Sequence, residues 1–176
     1  MIHLVLGGAR SGKSRFAEQC VAEYAAIGYQ CVYLATATAL DTEMSQRIHQ
    51  HQQDRVSSPH GWILHEQAYD IAQTLVAIDK PQQVILLDCL TLLLTNHLLL
   101  DDGASWAMQK SLLLDSLSAL QSEVVLVSNE VGSGIVPMGE LNRCFVDEAG
   151  WLNQAVAAIS DQVTLVVAGL PLPLKA

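Results

Sequence analysis

The chain has 176 residues, of which 51% are hydrophobic and 15% charged, with a formal net charge of -9. That is enough to bury a core as one domain spanning 1–176, and too apolar for disorder. The acidic balance argues against nucleic-acid or anionic-membrane partners, no apolar stretch reaches bilayer-spanning length, and no basic-then-apolar signal segment opens the chain; the expectation is a soluble cytoplasmic protein.

Ile2 to Leu6 is an apolar run that reads as a strand, followed by Gly7-Gly8-Ala9-Arg10-Ser11-Gly12-Lys13-Ser14. Lys13 to about Ile27 has Phe16, Ala17, Cys20, Val21 and Tyr24 at helical spacing, with Gly28 as its stop. Cys31 to Ala35 is a short β-rich run, so the chain opens with a βαβ unit and a parallel sheet is implied. Asp41 or Thr42 can cap a helix through about Arg55, and Ser57-Ser58-Pro59-His60-Gly61 breaks the chain. Trp62 to Glu66 follows as a short strand, then a helix over Ala68 to Ile78.

Val84 to Asp88 is continuous apolar sequence ending in a carboxylate, as expected of a strand buried on both faces. Leu90 to Leu100 is too apolar for the surface and predicts a helix packed on the sheet, with Asp101-Asp102-Gly103 as a turn. A helix over Ala104 to Gln121, a strand over Val124 to Ser128 and a Gly-rich loop from Asn129 to Pro137 come next. Glu140 to Ser160 supplies one long or broken helix and Val163 to Val167 a last core strand; Gly169 to Lys175, with two prolines, adds an edge segment. The four cysteines Cys20, Cys31, Cys89 and Cys144 form no C-x-x-C pair and are expected as small buried residues, and Trp62, Trp106 and Trp151 as packing.

Gly7 to Ser14 fits G-x-x-x-x-G-K-[ST] between a strand and a helix, the context of a phosphate-binding loop. Its backbone N–H groups and the helix N-terminus would face anionic oxygens, Lys13 would reach the β/γ-phosphates, and the Ser14 hydroxyl would ligate Mg²⁺. The alternative is a Gly/Ser-rich turn that binds nothing. Arg10, Lys13, Arg15, Arg47 and Arg55 all fall in the first third of an acidic chain, as phosphate handling requires. The fold expected is therefore α/β: a single phosphate-loop NTPase domain, RecA-like, with a mainly parallel sheet, helices on both faces and ligands at the strand C-termini.

Asp88 is a second candidate metal carboxylate, or else a cap for the helix after it. Steps of four put Arg47, His51 and Arg55 on one stripe of their helix, with His49 about 200° from His51. An imidazole between guanidiniums is disfavoured as a cation, leaving a nitrogen lone pair for attack on phosphorus while the arginines hold phosphate oxygens. A solvated polar face with an incidental histidine is the other reading. His3, His60, His65 and His97 lack such company and read as structural or exposed.

Several segments together resemble one family: Gly7 to Ser14, Tyr33-Leu-Ala-Thr-Ala, Asp41-Thr-Glu-Met with Arg47-Ile-x-x-His51-x-x-x-Arg55, Leu87-Asp-Cys-Leu-Thr, Ser128-Asn-Glu-Val-Gly-Ser-Gly-Ile-Val-Pro, Asp147-x-x-Gly-x-x-Asn-Gln and Val167-Ala-Gly-Leu-Pro. The family is the bifunctional adenosylcobinamide kinase/adenosylcobinamide-phosphate guanylyltransferase of cobalamin biosynthesis. The resemblance implies two reactions. ATP or GTP phosphorylates the aminopropanol hydroxyl of adenosylcobinamide; GTP then gives GMP to a histidine, releasing pyrophosphate, and the phosphorylated cobinamide takes up the GMP.

By the Arg-Ile-x-x-His pattern the resemblance places the guanylylated histidine at His51. It places nucleotide contacts at Gly7, Gly8, Ala9, Arg10, Ser11, Gly12, Lys13 and Ser14, at Thr36, Ala37 and Thr38, at Gln52, Gln53, Asp54 and Arg55, and at Glu66 and Asp88. It also implies a homotrimer. Asn129, Glu130, Asn153 and Gln154 are candidates for the corrin substrate or a neighbouring subunit, or else a satisfied polar loop. Competing functions are a simple small-metabolite kinase, with His51 only binding phosphate, and a nucleotide sensor or motor; the chain has no Leu-Ser-Gly-Gly-Gln transporter signature.

Overall fold

Strictly alternating side chains with both alternating sets buried require a sheet covered on two sides, and the middle of this chain is built that way. The structure is a computed structural model that describes residues 1–37, 61–134 and 138–176. Its strands are β1 Ile2–Gly7, β2 Gln30–Ala35, β3 Ile63–Glu66, β4 Gln83–Asp88, β5 Glu123–Asn129, β6 Gln162–Val167 and β7 Leu170–Lys175. They join in one sheet of order β3-β2-β4-β5-β1-β6-β7. β1 to β6 are mutually parallel and β7 runs antiparallel to β6.

The helices are α1 Lys13–Ala26, α2 Ile71–Ile78, α3 Leu90–Asp101, α4 Trp106–Ala119 and α5 Glu140–Ile159. On one face of the sheet Val5, Cys31, Tyr33, Val84, Leu86, Val125 and Val127 pack with Ala17 and Val21 of α1. On the other, Leu4, Leu6, Val32, Leu34, Ile85, Leu87, Val124 and Leu126 pack against side chains of α2 to α5. The sequence thus reads as continuous apolar runs because successive residues bury in opposite layers.

Pro171 and Pro173 sit on β7, the terminal strand, where a missing ladder donor is tolerated. The second helix starts at Ile71 instead of Ala68, because Ala68 O accepts the Asn96 amide (2.9 Å) and Gln67 Oε1 takes the Tyr69 N–H (3.2 Å). The expected helix over Ala104 to Gln121 is trimmed to α4, since the Asp79 carboxylate takes the N–H groups of Gln121 (3.0 Å) and Ser122 (2.9 Å). Glu140–Ile159 is one continuous helix.

Three burial expectations fail. Leu99 and Leu100, at the solvent end of α3, are exposed, as are Cys144 and Trp151 on α5. Cys31 and Cys89 are buried and Cys20 half-buried, and all four thiols are free. No described helix is long and apolar enough to cross a membrane. The helix expected over Thr42 to Arg55, with Arg47, His49 and His51, lies outside the described residues, as do Thr38, Gln52, Gln53, Asp54, His60 and the loop residues Ile135 to Pro137.

Candidate functional site

The loop from Gly7 to Gly12 leaves β1 between β5 and β6, and crowding there explains its glycines. A Cβ on Gly7 would press on the Ser11 side chain and lie 2.8 Å from Val166 O. Gly12 has φ of +94°, and a Cβ there would lie 3.2 Å from Gly169 Cα, so side chains are strained or excluded at both. Backbone bonds pin the turn: Ser11 N–H to Gly8 O (3.3 Å), Glu130 N–H to Gly7 O (3.2 Å), Gly169 N–H to Ser11 O (2.8 Å) and Phe16 N–H to Gly12 O (3.0 Å). Gly8, Ala9 and Arg10 are exposed on top, and Lys13 Nζ donates to Gly8 O (3.2 Å), which holds the ammonium over the loop. Gly12 caps α1 without a side-chain hydrogen bond, so the first turn, with Ser14 in it, keeps its amide donors for an anion.

The parallel register brings the other strand ends to the same rim. Ala35 pairs with Asp88 on one side and Glu66 on the other, Asp88 pairs with Val127, and Gly7 pairs with Asn129. By alternation from the α1-side residues Val5, Tyr33, Leu86 and Val127, the positions Gly7, Ala35, Glu66, Asp88 and Asn129 all belong to the α1 face. β5 lies between β1 and β4, so Asp88 stands two strand spacings, about 10 Å, from the column of Gly7. The sheet order thus sets one strand, β5, between the phosphate loop and the strand-end carboxylate, within the mainly parallel α/β sheet that was expected.

Asp88 Oδ2 accepts the Tyr33 hydroxyl at 2.7 Å, which orients the carboxylate. Among the described residues the Asp88 carboxylate bonds Tyr33 and does not cap the first turn of α3. Thr36, expected at the nucleotide, is buried, and Cys89 takes up its hydroxyl: Thr36 Oγ1 donates to Cys89 O (2.8 Å) and accepts from Cys89 N–H (2.8 Å). Thr36 N–H donates to Asp88 O (3.2 Å) and Asn96 Nδ2 donates to Thr36 O (2.8 Å). The threonine therefore ties the end of β2 to the end of β4. Ala37 follows it half-buried, and Glu66 is exposed at the end of β3. Burial, with the negative Asp88 adding to it, pushes the Cys89 thiol up to about 11, which keeps it protonated.

Tyr33, Asn96 and the Thr36–Cys89 lock go beyond the sequence reading; the signal for Asn96 was its place, beside His97, inside the leucine-rich run of α3. On the opposite face, the Ser128 hydroxyl donates to Asn153 Oδ1 (2.7 Å) and Asn153 Nδ2 donates to Asn129 O (3.0 Å), so Asn153 is a satisfied buried residue of the scaffold. Gln154 is exposed, and Glu130 Oε1 accepts the Gly132 N–H (2.9 Å). His3 is buried against Thr164 (2.9 Å), His97 lies between Ser105 and Tyr69, and His65 is half-buried on β3, away from the loop.

Among the described residues no three His, Cys, Asp or Glu side chains gather as a metal cage. Ser14 and Asp88 instead offer two hard oxygen ligands, a set that suits a hydrated Mg²⁺ completed by phosphate oxygens and poorly suits a soft metal.

The sequence profile described as cobinamide kinase / cobinamide phosphate guanyltransferase matches residues 3–174. The bifunctional adenosylcobalamin biosynthesis protein CobP of Pseudomonas aeruginosa is 49% identical over 175 residues, covering 99% of this chain and 98% of that protein. The bifunctional adenosylcobalamin biosynthesis protein CobU of Escherichia coli is 40% identical over 189 residues, covering 99% of this chain and 100% of that protein. A crystal structure of a KaiC-like protein from Pyrococcus horikoshii superposes with a TM-score of 0.49 at 14% identity, covering 93% of this chain and 69% of that one.

Proposed function

Since this chain belongs to the cobinamide kinase / cobinamide phosphate guanyltransferase family, we propose that it phosphorylates adenosylcobinamide and then transfers GMP from GTP to the product, through a histidine, in cobalamin biosynthesis. The observation that carries this reading is the shared rim: a phosphate loop with Lys13 folded over it, and Asp88 held by Tyr33 on the same face one strand beyond β5.

In the first reaction the aminopropanol oxygen attacks the γ-phosphorus, the bond to the β,γ-bridging oxygen breaks, and the hydroxyl proton leaves to solvent or base. Lys13 and the loop amides hold the charge that gathers on the leaving diphosphate. Mg²⁺, held by Ser14, Asp88 and phosphate oxygens, would supply further neutralisation of that charge. In the second reaction an imidazole nitrogen of His51 attacks the α-phosphorus of GTP and the bond to the α,β-bridging oxygen breaks, releasing pyrophosphate. A phosphate oxygen of adenosylcobinamide phosphate then attacks the phosphoramidate, forming the diphosphate and freeing the histidine.

His51, with Thr38, Gln52, Gln53, Asp54 and Arg55 as further nucleotide contacts, lies outside the described residues. Its role rests on the family pattern and on the Arg47-His51-Arg55 stripe in the sequence. A homotrimer belongs to the same reading.

The test is incubation with GTP labelled at the α-phosphate. The wild type acquires an acid-labile, base-stable label that His49→Ala retains and His51→Ala loses, while His51→Ala still phosphorylates cobinamide. Kinase turnover without any protein-bound label would leave a simple kinase, and nucleotide turnover indifferent to cobinamide would favour a sensor or motor.

A further inference from the structure

The segment Val167-Ala168-Gly169-Leu170-Pro171 has no part in the two reactions, yet it touches the phosphate loop. Val167 pairs with Leu170, so Ala168 and Gly169 are the two central residues of a tight hairpin between β6 and β7. Both have positive φ, +52° and +80°, as in the type I′ turns that suit two-residue hairpins. Alanine is strained in that region, where glycine, asparagine or aspartate is usual, so the turn keeps its shape against a local cost. Its tip lies against the loop: Gly169 N–H donates to Ser11 O (2.8 Å), and a Cβ on Gly12 would lie 3.2 Å from Gly169 Cα.

Ser11–Gly12 is a trans peptide, in which C=O and N–H point in opposite directions. Holding Ser11 O against the hairpin therefore turns the Gly12 N–H away from β6 and β7, toward the interior of the loop. At the other end of the loop Glu130 N–H, just past β5, donates to Gly7 O (3.2 Å) and turns the Gly8 N–H in the same manner. The strands that flank β1, β5 and β6, thus each lead into a residue that draws one loop carbonyl outward. A carbonyl turned the other way would set its negative end against phosphate oxygens, which are acceptors as it is. We propose that Gly169 is a positioning residue of the nucleotide site: its N–H holds the Ser11 carbonyl outward and so aims the Gly12 N–H at the phosphates of the bound triphosphate. The inference rests on the nucleotide-enzyme reading above.

An ester in place of the amide between Ala168 and Gly169, made by incorporating glycolic acid at position 169 of the full chain, removes the N–H and leaves every side chain unchanged. Gly169→Ala is its counterpart: it keeps the N–H, and its Cβ meets only Arg15 Nη2 at an ordinary 3.7 Å, but it is strained at φ of +80°. Both should melt below the wild type, Gly169→Ala by about 3 to 5 °C. In calorimetric titration with Mg²⁺-GTP the ester variant should bind about tenfold more weakly than the wild type, and Gly169→Ala within about twofold of it. A merely structural hairpin would lower both melting temperatures without separating the affinities, so an ester variant that binds no more weakly than Gly169→Ala overturns the proposal. The Gly12 amide, followed by NMR in the wild type, gives a readout that holds even if the ester variant does not fold: Mg²⁺-GTP should move it downfield and slow its hydrogen exchange. A Gly12 amide that the bound nucleotide leaves unmoved and unprotected also overturns it. Lys13→Ala separates the two levels: if the wild type fails to bind Mg²⁺-GTP, or Lys13→Ala binds it equally well, the nucleotide reading itself fails, whereas loss in Lys13→Ala with none in the ester variant removes only the present inference.

Discussion

Replacing Thr36 with valine keeps the shape of a fully buried side chain and deletes one oxygen that serves both polar groups of Cys89. The Cys89 N–H and C=O then lose their 2.8 Å partners in an interior where Cys89 is itself buried. Two orphaned groups at about 1.5 kcal/mol each cost about 3 kcal/mol. With an unfolding entropy of about 0.4 kcal/mol/K for a chain of 176 residues, that lowers the melting temperature by about 8 °C. Thr36→Ser keeps the oxygen and removes a methyl group, a cost of about 1 kcal/mol or about 3 °C. Differential scanning calorimetry of the three proteins checks the order. Because Thr36 N–H also holds Asp88 O, the valine variant should in addition need more Mg²⁺ for half-maximal GTP binding, with Thr36→Ser close to the wild type. A valine variant that melts within a degree of the wild type, or no lower than the serine variant, would refute the idea that this hydroxyl joins β2 to β4.

Two further outcomes follow from the same structure. Burial lowers the His3 pKa below 6.5, only partly opposed by nearby Glu23, so the folded state favours the neutral ring. The unfolded chain then binds the proton more readily, and the His3 contribution to stability, complete above about pH 6.5, declines as pH falls below that value and levels off under the folded pKa; the melting temperature of His3→Gln should fall less than that of the wild type between about pH 7.5 and pH 5.5. Gly7→Ala sets a Cβ 2.8 Å from Val166 O and against the Ser11 side chain, so the loop must shift. GTP affinity should drop at least about tenfold, because a displacement of the amide cradle weakens several phosphate contacts together, with a melting temperature reduced by only a few degrees; normal affinity in fluorescence titration would show that the crowding is relieved elsewhere.

How much of this could be read in advance divides by the range of the interaction. Strands and helices were readable because their signal is local: Val84 to Leu87 could be nothing else than a strand covered twice, and the glycines and lysine of Gly7 to Ser14 sit in one stretch. Element ends were less so, since the start of α2 is decided by Asn96 reaching back 28 residues to Ala68 O. Leu99, Leu100 and Trp151 are exposed among the described residues, and burial depends on contacts with distant elements that a local pattern does not contain. The Thr36–Cys89 lock spans 53 residues and exists only because β2 lies beside β4.

The strand order carries the greatest consequence of this kind. Had β4 paired directly with β1, Asp88 would stand one spacing, about 5 Å, from the column of Gly7, too close for a hydrated ion and a phosphate to sit between them. With β5 interposed the separation doubles to about 10 Å, room for a carboxylate, a water, a metal ion and a phosphate oxygen in series. The same insertion brings Asn129, which the sequence offered only as a candidate corrin or subunit contact, to the rim beside Gly7 at the end of β5. Sheet order thus converts two separately readable motifs, the phosphate loop and the strand-end carboxylate, into one site.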